Sequence, residues 1–402
     1  MKKSILTLTA MSILALTACG NSSPANELPS GGKEVDVTTA EGKTTLKNCL
    51  NNAKKAYQTS IDGIGVTAKL EGGNLSVNAS ADLSEMKLGQ VALGLNVKDV
   101  AANEDFRFAK TGEDGVAASA KSSVTSGSLS ITGTIPGEGS GEAAKINQSL
   151  NFAGTGINAY LSGNKVYTDI SNTSNFVTGL ETFANGLLSD LKVSFIGQLV
   201  SYYLVSILPE EASGLYDPVE NKFNIAKEYE KLPKKSYTEL PRELKWSDLF
   251  SDESQLDFDA DKVADYVTSM TETFPGLVFK SYDSGAFGFS IDVTKESLEK
   301  MIPEGEGAEA KAYLNYFTKI NVSAALYFNE KFMIDYAGVS ADIALSVTDL
   351  SAFGEAAAKV PVKDLSLTAS LSGKTEVRFN YKDVKVELPS ADELAKYEKA
   401  QF

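Results

Sequence analysis

The stretch Ile64-Gly65-Val66-Thr67-Ala68-Lys69-Leu70-Glu71-Gly72-Gly73-Asn74-Leu75-Ser76-Val77-Asn78-Ala79-Ser80-Ala81 alternates apolar and polar residues over nearly its whole length. Ile64, Val66, Ala68 and Leu70 share one face of an extended chain, and Leu75, Val77, Ala79 and Ala81 share one face of the next. Gly72-Gly73 between them predicts a turn, and so two antiparallel strands, each with one buried and one wet face. Val91, Leu93, Leu95 and Val97 read as a third strand, and Phe106 with Phe108 as a fourth. Leu129, Ile131, Ile135, Ile146, Leu150 and Phe152 carry the pattern on. Regular period-two alternation of this kind specifies an antiparallel meander.

Helical spacing brackets the meander. Leu46, Cys49, Leu50, Ala53 and Tyr57 fall on one face of a helix expected over residues 45–58. Gly163-Asn164 suits a hairpin turn within residues 157–170. Phe176, Leu180, Phe183, Leu187 and Leu191 then form one helical stripe. Residues 194–208 are uncharged, and Ile196, Leu199, Val200, Tyr203, Leu204 and Ile207 are helically spaced within them. A membrane span needs about 20 such residues, so a buried or lid-like helix is expected here instead.

The second half restates helix-then-meander. Val263, Tyr266, Val267, Met270 and Phe274 make an amphipathic helix, and residues 277–282 pair with Phe287, Phe289, Ile291 and Val293. Thr294 caps a short helix. Ile320, Val322, Ala324, Leu326 and Phe328 form the best β pattern in the chain, and Ile334, Tyr336, Val339, Ala341, Ile343, Leu345 and Val347 return from it. Residues 365–371 and 377–381 read as a late hairpin, and Ser390 with Glu393 as a capping box for a last helix. Residues 209–257, rich in proline and alternating charge and holding Trp246, read as a long irregular crossover.

Upstream, Met1-Lys2-Lys3 precedes an uncharged run to Ala18, the layout of a signal peptide. Leu16-Thr17-Ala18-Cys19 resembles the bacterial lipobox. That resemblance implies cleavage before Cys19, lipidation of its thiol and acylation of the new amino terminus, with palmitate among the chains expected. Two or more acyl chains anchor stably where one is marginal, so an extracytoplasmic protein held to a membrane is expected, at the cell surface or the periplasmic face. The expected organisation is a signal peptide over 1–18 and a flexible tether over 19–44. An N-terminal helix, meander and lid helices follow over 45–208, the crossover over 209–257, and a second helix and meander over 258–402. A tether of that length spans on the order of 25 Å as a coil.

Composition narrows function by exclusion. The 402 residues carry a net charge of −15, which becomes −17 without Lys2 and Lys3. Such a surface repels nucleic acid and anionic lipid headgroups. With Cys19 lipidated only Cys49 is left, so no internal disulfide is expected, and Cys49 on the apolar side of its helix reads as a small hydrophobe. There is no histidine. The commonest general base, the commonest zinc ligand and every Ser-His or Cys-His pair are thereby removed. Gly373-Lys374-Thr375 lacks the upstream glycine of a phosphate loop, Thr368 standing there, and reads as a hairpin turn. Asp257, Asp259 and Asp261 open like a calcium loop, but Lys262 and Thr268 occupy the positions that need glycine and glutamate. They read instead as carboxylates at a helix N-terminus. No catalytic residue, metal site or cofactor is expected, and the protein is read as a non-enzyme.

In element order the chain resembles the LolA and LppX/LprG class of half-barrel lipoproteins. The matching stretches are the N-terminal helix with its first strands, Ala159-Tyr160-Leu161-Ser162-Gly163-Asn164-Lys165-Val166-Tyr167, Phe289-Ser290-Ile291-Asp292-Val293-Thr294 and Val384-Lys385-Val386-Glu387-Leu388-Pro389. The resemblance implies an α+β, mainly antiparallel fold: a curved, half-open, barrel-like sheet with helices on its concave face. Strand candidates outnumber those of one such half-barrel, so one large or two tandem sheets are expected. The class implies binding or carriage of lipids or lipoproteins. Here the ligand-binding hollow is expected along Phe176, Leu180, Phe183, Leu187, Leu199 and Tyr203. The alternative is a structural or interaction lipoprotein whose helices fill the core and whose 209–257 loop engages a protein partner.

Overall fold

A computed structural model describes residues 28–56, 61–86, 89–137, 143–192, 214–249, 258–274, 276–302, 308–348 and 363–400. Cys19, Leu199, Tyr203 and the 194–208 segment lie outside them.

Four strands dominate: β2 (Gly63–Asp82), β3 (Gln90–Thr111), β4 (Gly115–Ile135) and β15 (Lys363–Asn380), each of 18 to 22 residues. At about 3.3 Å per residue, 20 residues reach about 65 Å, roughly three to four times an ordinary strand. Around them lie β1 (Lys33–Val35), β5 (Ala144–Asn151), β6 (Thr155–Ser162), β7 (Lys165–Asp169), β10 (Lys235–Glu239), β11 (Leu277–Ser281), β12 (Phe287–Thr294), β13 (Phe317–Phe328), β14 (Ile334–Val347) and β16 (Glu398–Lys399). All belong to one 14-stranded sheet in the order β1-β11-β12-β13-β14-β15-β2-β3-β4-β6-β7-β10-β16, with β5 also on β4. Every pairing is antiparallel except β10 with β16. The sheet is curved and open, since its edge strands β1 and β16 do not pair with each other among the described residues. It is one large sheet, because β15 from the second meander pairs along β2 from the first.

The expected turn at Gly72-Gly73 is not a turn. The chain runs straight through it as β2, and the irregularity is a bulge in the register between Leu70 and Leu75. The third and fourth strand candidates likewise fuse into β3 through a bulge at residues 98–101, and the late hairpin fuses into β15 with Gly373-Lys374-Thr375 inside it. A bulge shifts alternation by one residue, which keeps each apolar set on its original face. The irregularities line up as a crease across β15, β2, β3 and β4. Asn74 Nδ2 donates to the Gly72 carbonyl at 2.7 Å, Asp99 N donates to Asn74 Oδ1 at 2.9 Å, and Ser126 Oγ donates to the Asp99 carbonyl at 2.6 Å. Asp99 has φ 53°, and Gly127 has φ 148° with the Phe152 ring 2.2 Å from where a Cβ would stand. Only glycine fits at 127.

The longer helices pack on one face, here called inner. α1 (Ala40–Ala56) starts five residues earlier than its expected 45. Thr39 Oγ1 accepts from Gly42 N at 3.0 Å as its N-cap. With β1 already paired to β11, and Leu28 and Val37 buried, the expected flexible tether is folded from residue 28 onward. α5 (Ala260–Thr273) is capped by Asp259, whose carboxylate accepts from Asp261 N and Lys262 N, as expected of that cluster. α1 and α5 bury Leu46, Leu50, Ala53, Ala260 and Ala264 on Phe279 and Phe287. Lys43–Asp265 and Lys47–Asp261 ion pairs bridge the two helices at the surface.

α2 (Ser174–Leu191) lies on β5. Among the described residues the remaining helices are α3 (Ile225–Glu230), α4 (Trp246–Leu249), α6 (Lys295–Met301), α7 (Ala308–Leu314) and α8 (Ala391–Leu394). The expected cap at Thr294 forms, and with Ser297 it makes a full capping box; the expected capping box forms at Ser390 with Glu393. The described part of the crossover is ordered rather than irregular. It supplies the small hairpin of β8 (Tyr216–Asp217) and β9 (Lys222–Phe223), then α3, β10 and α4. Trp246 is 6% exposed and closes a second cluster with Val116, Ala118 and Leu161, while Asp114 accepts from Ser247 N and Oγ to seat α4.

Candidate functional site

Period-two alternation lines up across the long strands into apolar ranks on the inner face. Leu345, Ala369, Val77, Leu95 and Ile131 stand opposite one another across β14, β15, β2, β3 and β4. The next rank is Ile343, Leu371, Leu75, Val97 and Leu129, ending on Leu150 of β5. The opposite face of the same strands carries ranks of small polar residues: Ser370, Ser76, Asn96, Ser130 and Ser149. Ser76 Oγ donates to Asn96 Oδ1 at 2.7 Å within that rank. This polar face needs no cover.

The apolar face does, and it is covered unevenly. Helices α1 and α5 make their main contacts with β11, α6 with β12 and β13, and α2 with β5 and β9. The middle strands are left between these blocks. Leu75, Val77, Leu95, Val97, Ala369 and Leu371 are only half-buried, and Leu93 is 39% exposed. None of them joins a buried cluster among the described residues. The result is an apolar floor bounded by helices at two ends and by the crease across its length.

Of the residues expected to line a hollow, Phe176, Leu180, Phe183 and Leu187 all fall on α2, at the edge of this floor. Phe183 is buried, and Phe176 and Leu180 are half-buried. Leu187 packs with Leu191 on Ile131, Ile135, Ala144 and Ile146. Two glycines let α2 settle directly onto β5: Leu150 lies 3.2 Å from a Cβ placed on Gly179, and the Gln148 side chain occupies the space a Cβ of Gly186 would need. Asp190 Oδ2 fixes the register by accepting from Gln148 Nε2 at 2.7 Å and Asn147 N at 3.2 Å. Leu199 and Tyr203 are not among the described residues.

Reasoning from helical stripes missed the floor itself. Its residues were read as strand positions, and only their register shows that they form one surface. The same reasoning missed Glu104. Alternation places it on the inner face, in a rank with Val377, Ala68, Ser122 and Ile157. Along β3 its same-face neighbours are Ala102 and Phe106. Glu104 makes no hydrogen bond or ion pair among the described residues, and burial pushes its carboxyl above the ordinary carboxylate range. By contrast Asp105 and Arg107, on the outer face, pair with each other at 2.9 Å.

Little else offers chemistry. Cys49 is half-buried against the α1–α5 cluster, and burial pushes its thiol up, as suits a packing residue. No group of three or more metal-binding side chains gathers among the described residues. No described helix is long and apolar enough to cross a membrane.

On the outer face, Leu28 is buried with Ala325 and Tyr336, and Tyr282 Oη donates to the Pro29 carbonyl at 2.8 Å. The N-terminal segment is thus strapped across β12–β14. At the far edge Tyr397 packs edge-on to Tyr167, ring centroids 5.3 Å apart, and holds the C-terminal segment down.

No family model and no curated protein matches the chain. Among solved structures it is similar to a beta-barrel-like protein of domain of unknown function DUF1849 from Brucella abortus. The two share 7% identity and a TM-score of 0.11, over 81% of this chain and 100% of that one.

Proposed function

We propose that this is a membrane-anchored, extracytoplasmic lipoprotein that binds a hydrophobic ligand on the inner face of its open sheet and performs no chemistry on it. The observation that carries the reading is the floor around Leu75, Val77, Leu95 and Val97, apolar yet only half-buried. Contiguous apolar surface of this kind, rimmed by covered core, is the usual mark of a binding site. The leader and Leu16-Thr17-Ala18-Cys19 support the anchor, with Cys19 as the lipidated residue.

Seating of Leu28 changes the geometry of that anchor. Only residues 20–27 separate Cys19 from the strap, and fully extended they reach about 30 Å at most. The β12–β14 side of the outer face is then held close to the bilayer, and the inner face is turned away from it or along it.

The test is native mass spectrometry of a soluble form beginning at Gly20, with organic extraction of whatever co-purifies. Stoichiometric lipid that is lost in Val77→Asp, with the thermal melt kept, supports the reading. A clean apo mass that stays apo in membrane lipid extract overturns it. A protein partner then becomes the object of the search.

A further inference from the structure

Glu104 lies on the inner face of β3 between the crease and the Trp246 cluster, and its own cross-strand rank, with Ala337, Val377, Ala68, Ser122 and Ile157, holds no other charged side chain. Cross-strand neighbours stand about 5 Å away. Here they are Ala68 on one side and Ser122 on the other, with Val377 and Ile157 beyond. The nearby charges point the other way: Lys69, Asp105, Arg107 and Lys121 alternate onto the outer face. A half-buried carboxylate with no hydrogen bond or ion pair among the described residues costs stability, since removal from water disfavours its charge. An alanine or valine there would continue the alternation at no such cost.

We infer that Glu104 is the polar anchor of the floor, and that its ligand is an amphiphile carrying a cationic amine head on an apolar chain. The inference rests on the proposal that the floor holds a hydrophobic ligand, and it supplies that ligand's chemistry. Val97, in the apolar rank below the crease, is on the order of 20 Å along β3 from Glu104. A long alkyl chain laid down the strand covers that distance with its head at the carboxylate. An ammonium head donates to Glu104 and compensates its charge, and the Ser122 hydroxyl oxygen beside it can accept a second hydrogen bond from the head. An anionic head meets the opposite situation. It finds no lysine or arginine in the ranks beside Glu104, a carboxylate to repel it and a net charge of −15 behind that. A neutral alcohol hydrogen-bonds but leaves the charge uncompensated. Burial already pushes the Glu104 carboxyl up in the empty floor, and a bound amine would draw it back down.

The experiment compares dodecylamine, dodecanol and dodecanoate below their micelle concentrations at pH 7, each displacing a neutral naphthylamine fluorophore from the form beginning at Gly20. The proteins are wild type, Glu104→Gln and Val77→Asp, with thermal melts to confirm folding. Dodecylamine is expected to bind wild type at least about tenfold tighter than dodecanol, the size of one charge-assisted hydrogen bond. In Glu104→Gln that ratio is expected to fall to about one with dodecanol binding unchanged. If all three bind, Val77→Asp abolishes them and Glu104→Gln leaves the ratio untouched, or if dodecanoate binds wild type best, the role of Glu104 is overturned while the floor stands. If none binds wild type, the floor and the anchor fall together.

Discussion

Two regions of the inner face share one sequence pattern and differ in fate. At the β11–β13 end, alternating Phe279, Phe287 and Phe289 meet α1 and α5. Phe279 and Phe287 are each 1% exposed there, and Leu46 and Ala264 above them are fully buried. Phe287, Phe328 and Phe332 stack within 5.7 Å of one another, centroid to centroid. In the middle, alternating Leu75, Val77, Leu95 and Val97 meet no described helix and stay half-buried. Alternation fixes which face of a strand is apolar, but cover decides whether that face becomes core. A covered stripe stabilises the fold, and an uncovered one is kept at a cost to solubility, which the binding function proposed above would account for.

The largest expected effect breaks the covered end. Phe287→Ala removes a fully buried ring and leaves a cavity among the rings of Phe279, Phe289, Phe328 and Phe332, for a loss of about 3–5 kcal/mol in urea unfolding. The matched change on the floor, Val77→Ala, is expected to cost about 1 kcal/mol or less, because a half-buried methyl pair loses less transfer free energy and leaves no closed cavity. Equal losses at the two sites would erase the distinction between core and floor.

The next effect sharpens the contrast through pH. Burial is the main cause that pushes Tyr336 and Tyr397, which seal the two straps on the outer face, up to about 12. Each is expected to titrate near 10 when unfolded. A raised folded pKa means that the native state holds its proton longer. The contribution is therefore complete below pH 10 and lost as pH rises toward 12. Thermal melts between pH 9 and 12 should decline in that window, and Tyr336→Phe or Tyr397→Phe should flatten the decline. The floor presents no tyrosine in its two central ranks, so binding of a neutral ligand such as dodecanol should persist up to the point where the straps release, whereas an alkylammonium loses its own charge within the same window.

The smallest effect concerns the crease that borders the floor. Asp99 sits at φ 53°, a conformation aspartate tolerates and a β-branched residue does not. Asp99→Val is expected to cost about 1–2 kcal/mol in unfolding, and Asp99→Gly close to nothing. A change in floor binding by Asp99→Val without loss of stability would show that the crease shapes the site as well as bordering it.

Much of this molecule was legible in its residues. Leu46, Leu50 and Ala53 at helical spacing, the hairpin at Gly163-Asn164, the caps at Asp259, Thr294 and Ser390, and the return from Phe328 to Ile334 all formed as their local chemistry dictates. The candidate site was legible only at its rim. Phe176, Leu180, Phe183 and Leu187 belong to an element that borders the floor, whereas the floor is made by residues up to about 300 positions apart, such as Leu75 and Leu371.

The sequence by itself determined the elements, the antiparallel pairing and the apolar phase of each strand, because these depend on neighbours within a few residues. It could not distinguish the bulge at Gly72-Gly73 from a turn. Both slip the alternation by a residue and both favour glycine, yet one reverses the chain and the other extends it. The choice was made by β15 and β3, which pair with β2 on both sides of the slip and hold it straight. Only the tertiary structure could decide which stretch of the apolar face received a helix, because that depends on where distant segments pack and not on the strand beneath them.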